Sequence, residues 1–212
     1  MLYGYKKFVD LLNGKNDMML KAGNKFYIPF KKRSIRFVIL GVNTNPNEDC
    51  NYDFVDIMCL EPIPDLVWSD NIFQPYYKSK IMKTLNDQKH FFPEEIRNNI
   101  IRRDAKFLTS VNLIDKSKEY EKFNIGYIWI PSIVELWGKE SFDDYPNYEQ
   151  YEYFKNIECN KYNGWIRSVL YTRRNPISIY YDYIYEDDCT IRKQYNDKDK
   201  AYMCLRLKIN RE

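Results

Sequence analysis

Residues 25–42 read KFYIPFKKRSIRFVILGV, and how this stretch folds decides what the rest of the chain can do. Residues 26–30 and 35–40 are two runs of aromatic and β-branched side chains, parted by basic residues and stopped by Gly41. Such runs between polar breaks read as strands. The polar NTNPNEDCN (43–51) is rich in turn formers, and YDFVDIMCLEPI resumes a strand over 52–60, which predicts a β-hairpin with a long loop.

Outward from there the pattern changes period. In PYYKSKIMKTLND (75–87), Tyr77, Ile81 and Leu85 recur every four residues, the mark of one apolar helix face. FPEEIRNNIIRRD (92–104) opens on Pro93 and two acids and closes on arginines, which suits a helix start and the helix dipole, with Ile96, Ile100 and Ile101 facing the core. FLTSVNLI (107–114) alternates weakly as a strand. GYIWIPSIVELWG (126–138) reads as a strand running into a turn of helix opened at Pro131-Ser132 and stopped at Gly138. A polar, tyrosine-rich stretch over 139–164 follows, then three strand-like runs, WIRSVLY (165–171), ISIYYDYIY (177–185) and AYMCLRLKI (201–209). Strands first, two helices in the middle and strands last make an α+β domain over 23–212, and residues 1–22 form a short helix or docking arm.

Composition narrows the class. The chain has 212 residues, 44% hydrophobic and 30% charged, the balance of a globular protein large enough to fold without disulfide or metal. Twenty Tyr, twelve Phe and four Trp raise the aromatic share to 17%. A low-GC genome accounts for part of that excess, and tyrosine-faced strands that also make contacts account for the rest. Net charge is only +3, with acidic DDYPNYEQYEYF (143–154) balancing basic IRRDAK (101–106), which argues against a dedicated nucleic-acid binder. Cys50, Cys59, Cys159, Cys189 and Cys204 form no CxxC pair and read as free thiols. Neither an apolar signal core nor a run of membrane-span length is present, so synthesis in the cytoplasm without membrane insertion is expected.

The search for chemistry yields little. His90 is the sole histidine, which rules out a multi-histidine metal site and argues against a conventional serine or cysteine hydrolase, and no cofactor is expected. No glycine-rich phosphate loop or GxSxG elbow occurs. Asp143, Asp144, Asp187 and Asp188 are the acids from which a two-carboxylate glycan-active enzyme would have to be built, though such runs are more often solvated loop charge. In YNGWIRSVLYTRRNPISIYYDYIYEDD (162–188), strand alternation places Trp165 and Arg167 on one face. A guanidinium beside an indole suggests stacking, with its fork bound to a carboxylate or to carbonyls. Arg173, Arg174 and Asn175 follow at a loop, near tyrosines of the kind that recognition surfaces use.

The order of these blocks resembles an uncharacterised domain family of low-GC bacteria and their phages, with a C-type-lectin-like fold and a distant relation to formylglycine-generating enzymes. Ser79, Ile81, Leu85 and Asn86 match one block of that pattern. Ile128, Trp129, Ile130, Pro131, Ser132 and Glu135 match a second, and Trp165, Arg167 and Ser168 a third, the W-x-R-S motif. The closing AYMCLRLKI lacks the family's Arg-Pro, and no reactive cysteine pair can be matched, so the enzymatic chemistry does not carry over. The resemblance implies small mixed and antiparallel sheets with two helices, both chain ends in one small sheet, and C-terminal strands and loops as a display face. It implies a non-enzymatic virion protein, a tail or capsid component or host-recognition module, oligomeric in place, that binds a neighbouring virion protein or a host-surface protein or glycan. On that reading Trp165, Arg167 and Ser168 are the structural anchor, and Tyr171, Arg173, Arg174, Asn175, Tyr180 and Tyr183 bind the ligand. The alternatives are an intracellular nucleic-acid-binding or regulatory protein, and a carboxylate-dependent glycan-active enzyme.

Overall fold

A computed structural model describes residues 1–15, 20–66, 75–112, 114–138, 145–155, 165–172, 175–184, 191–193 and 199–210, with backbone alone for 165–193 and residue 199. In chain order the elements are β1 (Leu2–Tyr3), α1 (Tyr5–Leu12), β2 (Lys25–Phe30), β3 (Arg33–Val42), β4 (Phe54–Cys59), β5 (Ile63–Leu66), α2 (Lys80–Asn86), α3 (Glu94–Arg97), β6 (Ile100–Ile101), β7 (Arg103–Val111), β8 (Lys118–Gly126), β9 (Ile128–Trp129), α4 (Ile133–Trp137) and α5 (Glu152–Lys155). The C-terminal part adds β10 (Trp165–Thr172), β11 (Asn175–Ile184), β12 (Ile191–Lys193), β13 (Asp199–Ala201) and β14 (Cys204–Lys208).

The meander expected at residues 25–60 forms β2, β3 and β4, antiparallel throughout, and it is the base of a seven-stranded sheet ordered β1-β2-β3-β4-β14-β6, with β9 also on β14. β1 pairs parallel to β2, so the sheet is mixed. The continuous apolar runs explain its burial. Phe37–Gly41 of β3 and all of β4 are buried, so both sides of the sheet are covered. Phe8 of α1 packs on Phe26 at 4.4 Å between ring centroids, and Leu11 and Leu12 complete that helix's buried stripe.

The lectin-like architecture expected from the motif order is not what forms. Among the described residues a seven-stranded sheet dominates in place of small sheets, there are five α-helices and not two, and no disulfide-closed loop of the lectin type occurs, since Cys50, Cys59 and Cys204 form no disulfide. The closing strand decides the difference. β14 enters the interior of the sheet between β4 on one side and β6 and β9 on the other. What survives of the expectation is an α+β fold with mixed sheets.

The helix predicted over 92–104 also shrinks, to α3. Asn98 closes it and Asn99 donates its side chain back to the Glu95 carbonyl at 2.7 Å. Ile100 and Ile101 then leave the helix to pair with Leu207 and Arg206, because β14 offers them an unpaired edge and β-branched residues fit a pleated one better than a helix. The following strand, expected at 107–114, starts earlier, at Arg103, and joins β8 in a two-stranded hairpin. The helical turn at 133–137 does form: Ser132 and Glu135 make a reciprocal capping box and Gly138 ends it at φ 64°.

Two further sheets carry the remaining strands, β10-β11-β12 and the pair β13-β5, and β10 lies beside α4 and β13. Among the described residues no helix is long and apolar enough to cross a membrane.

Candidate functional site

The β3–β4 loop is the asparagine-rich 43–53, and its asparagines act as clamps. Asn43 and Asn45 take φ of 54° and 51°, the left-handed region that asparagine tolerates better than most residues. Asn43 bonds Asp53 at 2.7 Å and the Phe54 amide at 2.9 Å, closing the loop at its root. The Asn45 amide donates to the Glu149 carbonyl at 3.0 Å and accepts from the Glu149 N–H at 2.8 Å. Asn47 does the same to the base of β7, donating to the Arg102 carbonyl at 3.0 Å and accepting from the Asp104 N–H at 3.1 Å. The Asn45 and Asn47 carboxamides each stand in for a peptide group and satisfy one backbone donor and one backbone acceptor, which fixes their orientation.

These clamps hold three pieces of chain, 43–53, the base of the β7–β8 hairpin and 145–149, around an open cleft of about 310 Å³. Its chemistry centres on one shared carboxylate. Glu48 lies 2.7 Å from Lys106 and 3.3 Å from Lys122, and Lys122 also reaches Asp49 at 3.6 Å. Lys106 and Lys122 are cross-strand partners on β7 and β8, so their like charges need that carboxylate between them. Hydrogen bonds from Lys106 and Lys122 hold the Glu48 carboxyl below its ordinary range, and the same contacts raise both lysines. Glu48 is therefore ionised at neutral pH and is not a proton donor there.

Tyrosines form the other wall. The Tyr145 hydroxyl accepts from Lys106 at 3.2 Å, and the Lys106 ammonium sits 4.5 Å from the Tyr145 ring centroid. Tyr145 meets Tyr148 edge-on at 5.5 Å and Tyr120 at 5.3 Å, and the Tyr148 hydroxyl accepts from the Lys106 backbone at 2.6 Å. The lining carries three carboxylates, Glu48, Asp104 and Glu149, against two lysines.

Beneath the cleft lies a second set of charges, all buried. Asp56 of β4 sits opposite Arg206 of β14 in register, and the guanidinium grips it through two bonds of 2.8 Å. The same Arg206 donates to the carbonyls of Thr44 and Asn45 at 3.0 and 2.9 Å and stacks 3.8 Å from the Phe54 ring centroid. Tyr151 donates to Asp56 at 2.7 Å. Gly41, opposite Asp56 on β3, makes room for this: a Cβ there would meet the Thr44 hydroxyl at 2.5 Å and the Tyr151 ring at 3.4 Å. Arg103 pairs with the Glu135 carboxylate and stacks 3.9 Å from the Trp129 ring centroid, with both side chains fully buried. Burial by itself disfavours the Arg103 cation, but Glu135, with Tyr151 and Asp56 behind it, more than offsets that and holds the group charged. Burial raises the Tyr151 phenol well above its ordinary value, so it remains the donor to Asp56.

The residues expected to carry binding lie elsewhere. Trp165, Arg167, Ser168 and Tyr171 fall in β10, and Asn175, Tyr180 and Tyr183 in β11. These two strands form an antiparallel hairpin with Trp165 opposite Tyr183, Leu170 opposite Tyr180 and Thr172 opposite Asn175. Arg173 and Arg174 lie outside the described residues, as do Asp143, Asp144, Asp187 and Asp188. The arginine-on-aromatic arrangement expected of Trp165 and Arg167 is present at Arg103–Trp129–Glu135 and at Arg206–Phe54–Asp56. Sequence reasoning passed over Glu48, Lys106, Lys122 and Tyr145. The signal was present in NTNPNEDCN, where asparagines alternate along an otherwise featureless loop, and in the single charges inside FVDIMC and CLRLK. The motif residues Ser79, Asn86 and Glu135 have structural work: Ser79 caps α2, Asn86 accepts from the Tyr127 and Ile128 amides, and Glu135 anchors Arg103.

Among the described residues no three His, Cys, Asp or Glu side chains are grouped to hold a metal. Compared with protein-family models, with curated proteins and with solved structures, the chain matches none.

Proposed function

We propose that this chain is a non-catalytic recognition module and that the cleft between residues 43–53, the β7–β8 base and 145–149 receives a glycan. The observation that carries this reading is the Glu48–Lys106–Lys122 clasp, in contact with Tyr145 through Lys106, in a cleft held open by the Asn45 and Asn47 clamps. A sugar hydroxyl both donates and accepts, so it can bond the carboxylate and an ammonium at once. Tyrosine edges then supply apolar contact at low entropy cost. The clamps order the walls in advance, so binding need not order them. Three lining carboxylates against two lysines repel a polyanion, which ranks nucleic acid lower. The resemblance to phage domains would place that glycan on a host surface. Its motif order supports that placement; the lectin-like fold no longer does.

Titration with a panel of mono- and disaccharides, followed by amide and tyrosine-ring NMR, tests the proposal. Binding is expected to perturb Lys106, Lys122 and Tyr145 and to change little with added salt. Lys106→Met and Tyr145→Ala are each expected to weaken it by about 10-fold or more, the loss of one hydrogen bond to a charged group. Binding that survives both changes but disappears with Arg173→Ala, Arg174→Ala or Tyr180→Ala would move the site to the β10–β11 hairpin.

A further inference from the structure

A different cluster of charges surrounds Tyr127, at the bend between β8 and β9. The Lys89 ammonium lies 3.4 Å from the Tyr127 ring centroid and the Arg102 guanidinium 5.1 Å from it. Among the described residues no carboxylate pairs with Lys89 or Arg102, whereas the cation sets described above each have one. Lys89 is also partly withdrawn from water, and burial makes its charge harder to hold; Tyr127 works against that and Arg102 adds to it. The frame is rigid. Asn86 accepts from the Tyr127 amide at 2.6 Å, and Asn47 holds the Arg102 carbonyl at 3.0 Å. Two like charges on fixed backbone, with no carboxylate against them among the described residues, carry a repulsion that a bound anion would remove.

We propose that Lys89 and Arg102 form a binding site for a phosphate-type oxyanion, either inorganic phosphate or a small phosphomonoester. A guanidinium fork can take two oxygens of a tetrahedral anion and the ammonium a third. The Tyr127 ring already carries Lys89 at 3.4 Å, which leaves that face closed to a nucleobase and favours a compact anion over single-stranded nucleic acid. Neither Lys89 nor Arg102 lines the glycan cleft, although Asn47 supports both sites.

The test is calorimetric titration of the full chain with inorganic phosphate, against chloride at matched ionic strength, with glycerol phosphate and a short oligonucleotide as further arms. Saturable one-site phosphate binding is expected, weakened about 10-fold or more in Lys89→Gln and in Arg102→Gln. Lys31→Gln, at the separate cation–ring contact on Phe91, is expected to leave it unchanged. Glycerol phosphate binding more tightly than phosphate would identify an ester as the ligand, and equal affinity would identify the free anion. Equal response to chloride, unchanged affinity in both variants, or binding of the oligonucleotide alone would overturn the proposal. Should a variant fold poorly, the Tyr127 ring resonances of the unaltered chain decide: no shift on adding phosphate overturns it.

Discussion

The chain uses the same ion-pair chemistry in two places and to different ends. Under the cleft, Asp56–Arg206 and Arg103–Glu135 are fully buried, each guanidinium lying on an aromatic ring. At the cleft, Glu48, Lys106 and Lys122 are 53%, 26% and 38% exposed and share one carboxylate in water. A buried pair has no solvent to replace a missing partner, so it fixes structure. An exposed triad is screened and contributes little to stability, but its members remain free to exchange one another for a ligand. The contrast separates residues that hold the site from residues that are the site.

The largest effect should come from breaking one buried pair. Asp56→Ala leaves the Arg206 cation uncompensated and is expected to destabilise the fold by about 3–5 kcal/mol in urea titration. Replacing both members, Asp56→Leu with Arg206→Met, should recover most of that loss, since an apolar pair of similar volume has no charge to desolvate. Failure of the double variant to recover would mean that the Arg206 bonds to the Thr44 and Asn45 carbonyls carry the loop by themselves.

Tyr151→Phe keeps the ring and removes only the 2.7 Å bond to Asp56, so a smaller loss of about 1.5–3 kcal/mol is expected, with the secondary structure intact by circular dichroism. At the exposed end of the comparison, Glu48→Gln should leave the unfolding midpoint unchanged while separating the Lys106 and Lys122 ammonium groups, seen as downward shifts of both lysine pKa values by NMR. A large fall in midpoint would show that the triad is structural after all.

The smallest effect is a pH dependence. Because the folded Glu48 carboxyl titrates below its ordinary value, any stability from the clasp is complete above the ordinary carboxylate range of about 4.3 and disappears as pH falls through the lowered value. Glu48 side-chain carbonyl shifts should therefore move at lower pH than those of an unpaired glutamate, and at the ordinary pH in a Lys106→Met, Lys122→Met chain.

Local chemistry was legible wherever a run of residues specifies its own conformation. The β2–β3–β4 meander, the α1 stripe of Phe8, Leu11 and Leu12, and the Ser132–Gly138 helical turn all depend on neighbours in sequence. Ile100 and Ile101 were misread because two conformations suit them, and only the free edge of β14 selects the strand. The cleft was illegible for the same reason at longer range. Glu48 meets Lys106 and Lys122 across more than fifty residues of chain, and Asn45 meets Glu149 across 104.

By itself, then, the sequence determined an α+β chain with apolar strands and capped helical turns, since periodicity and capping act within a few residues. Tertiary structure alone decided that β14 enters the middle of the sheet, that Arg206 meets Asp56 there, and that an asparagine loop bends back to hold Glu48 over two lysines. Those outcomes depend on which strand edges remain unpaired and which charges are left without water once the chain has closed, and both are properties of the assembled fold.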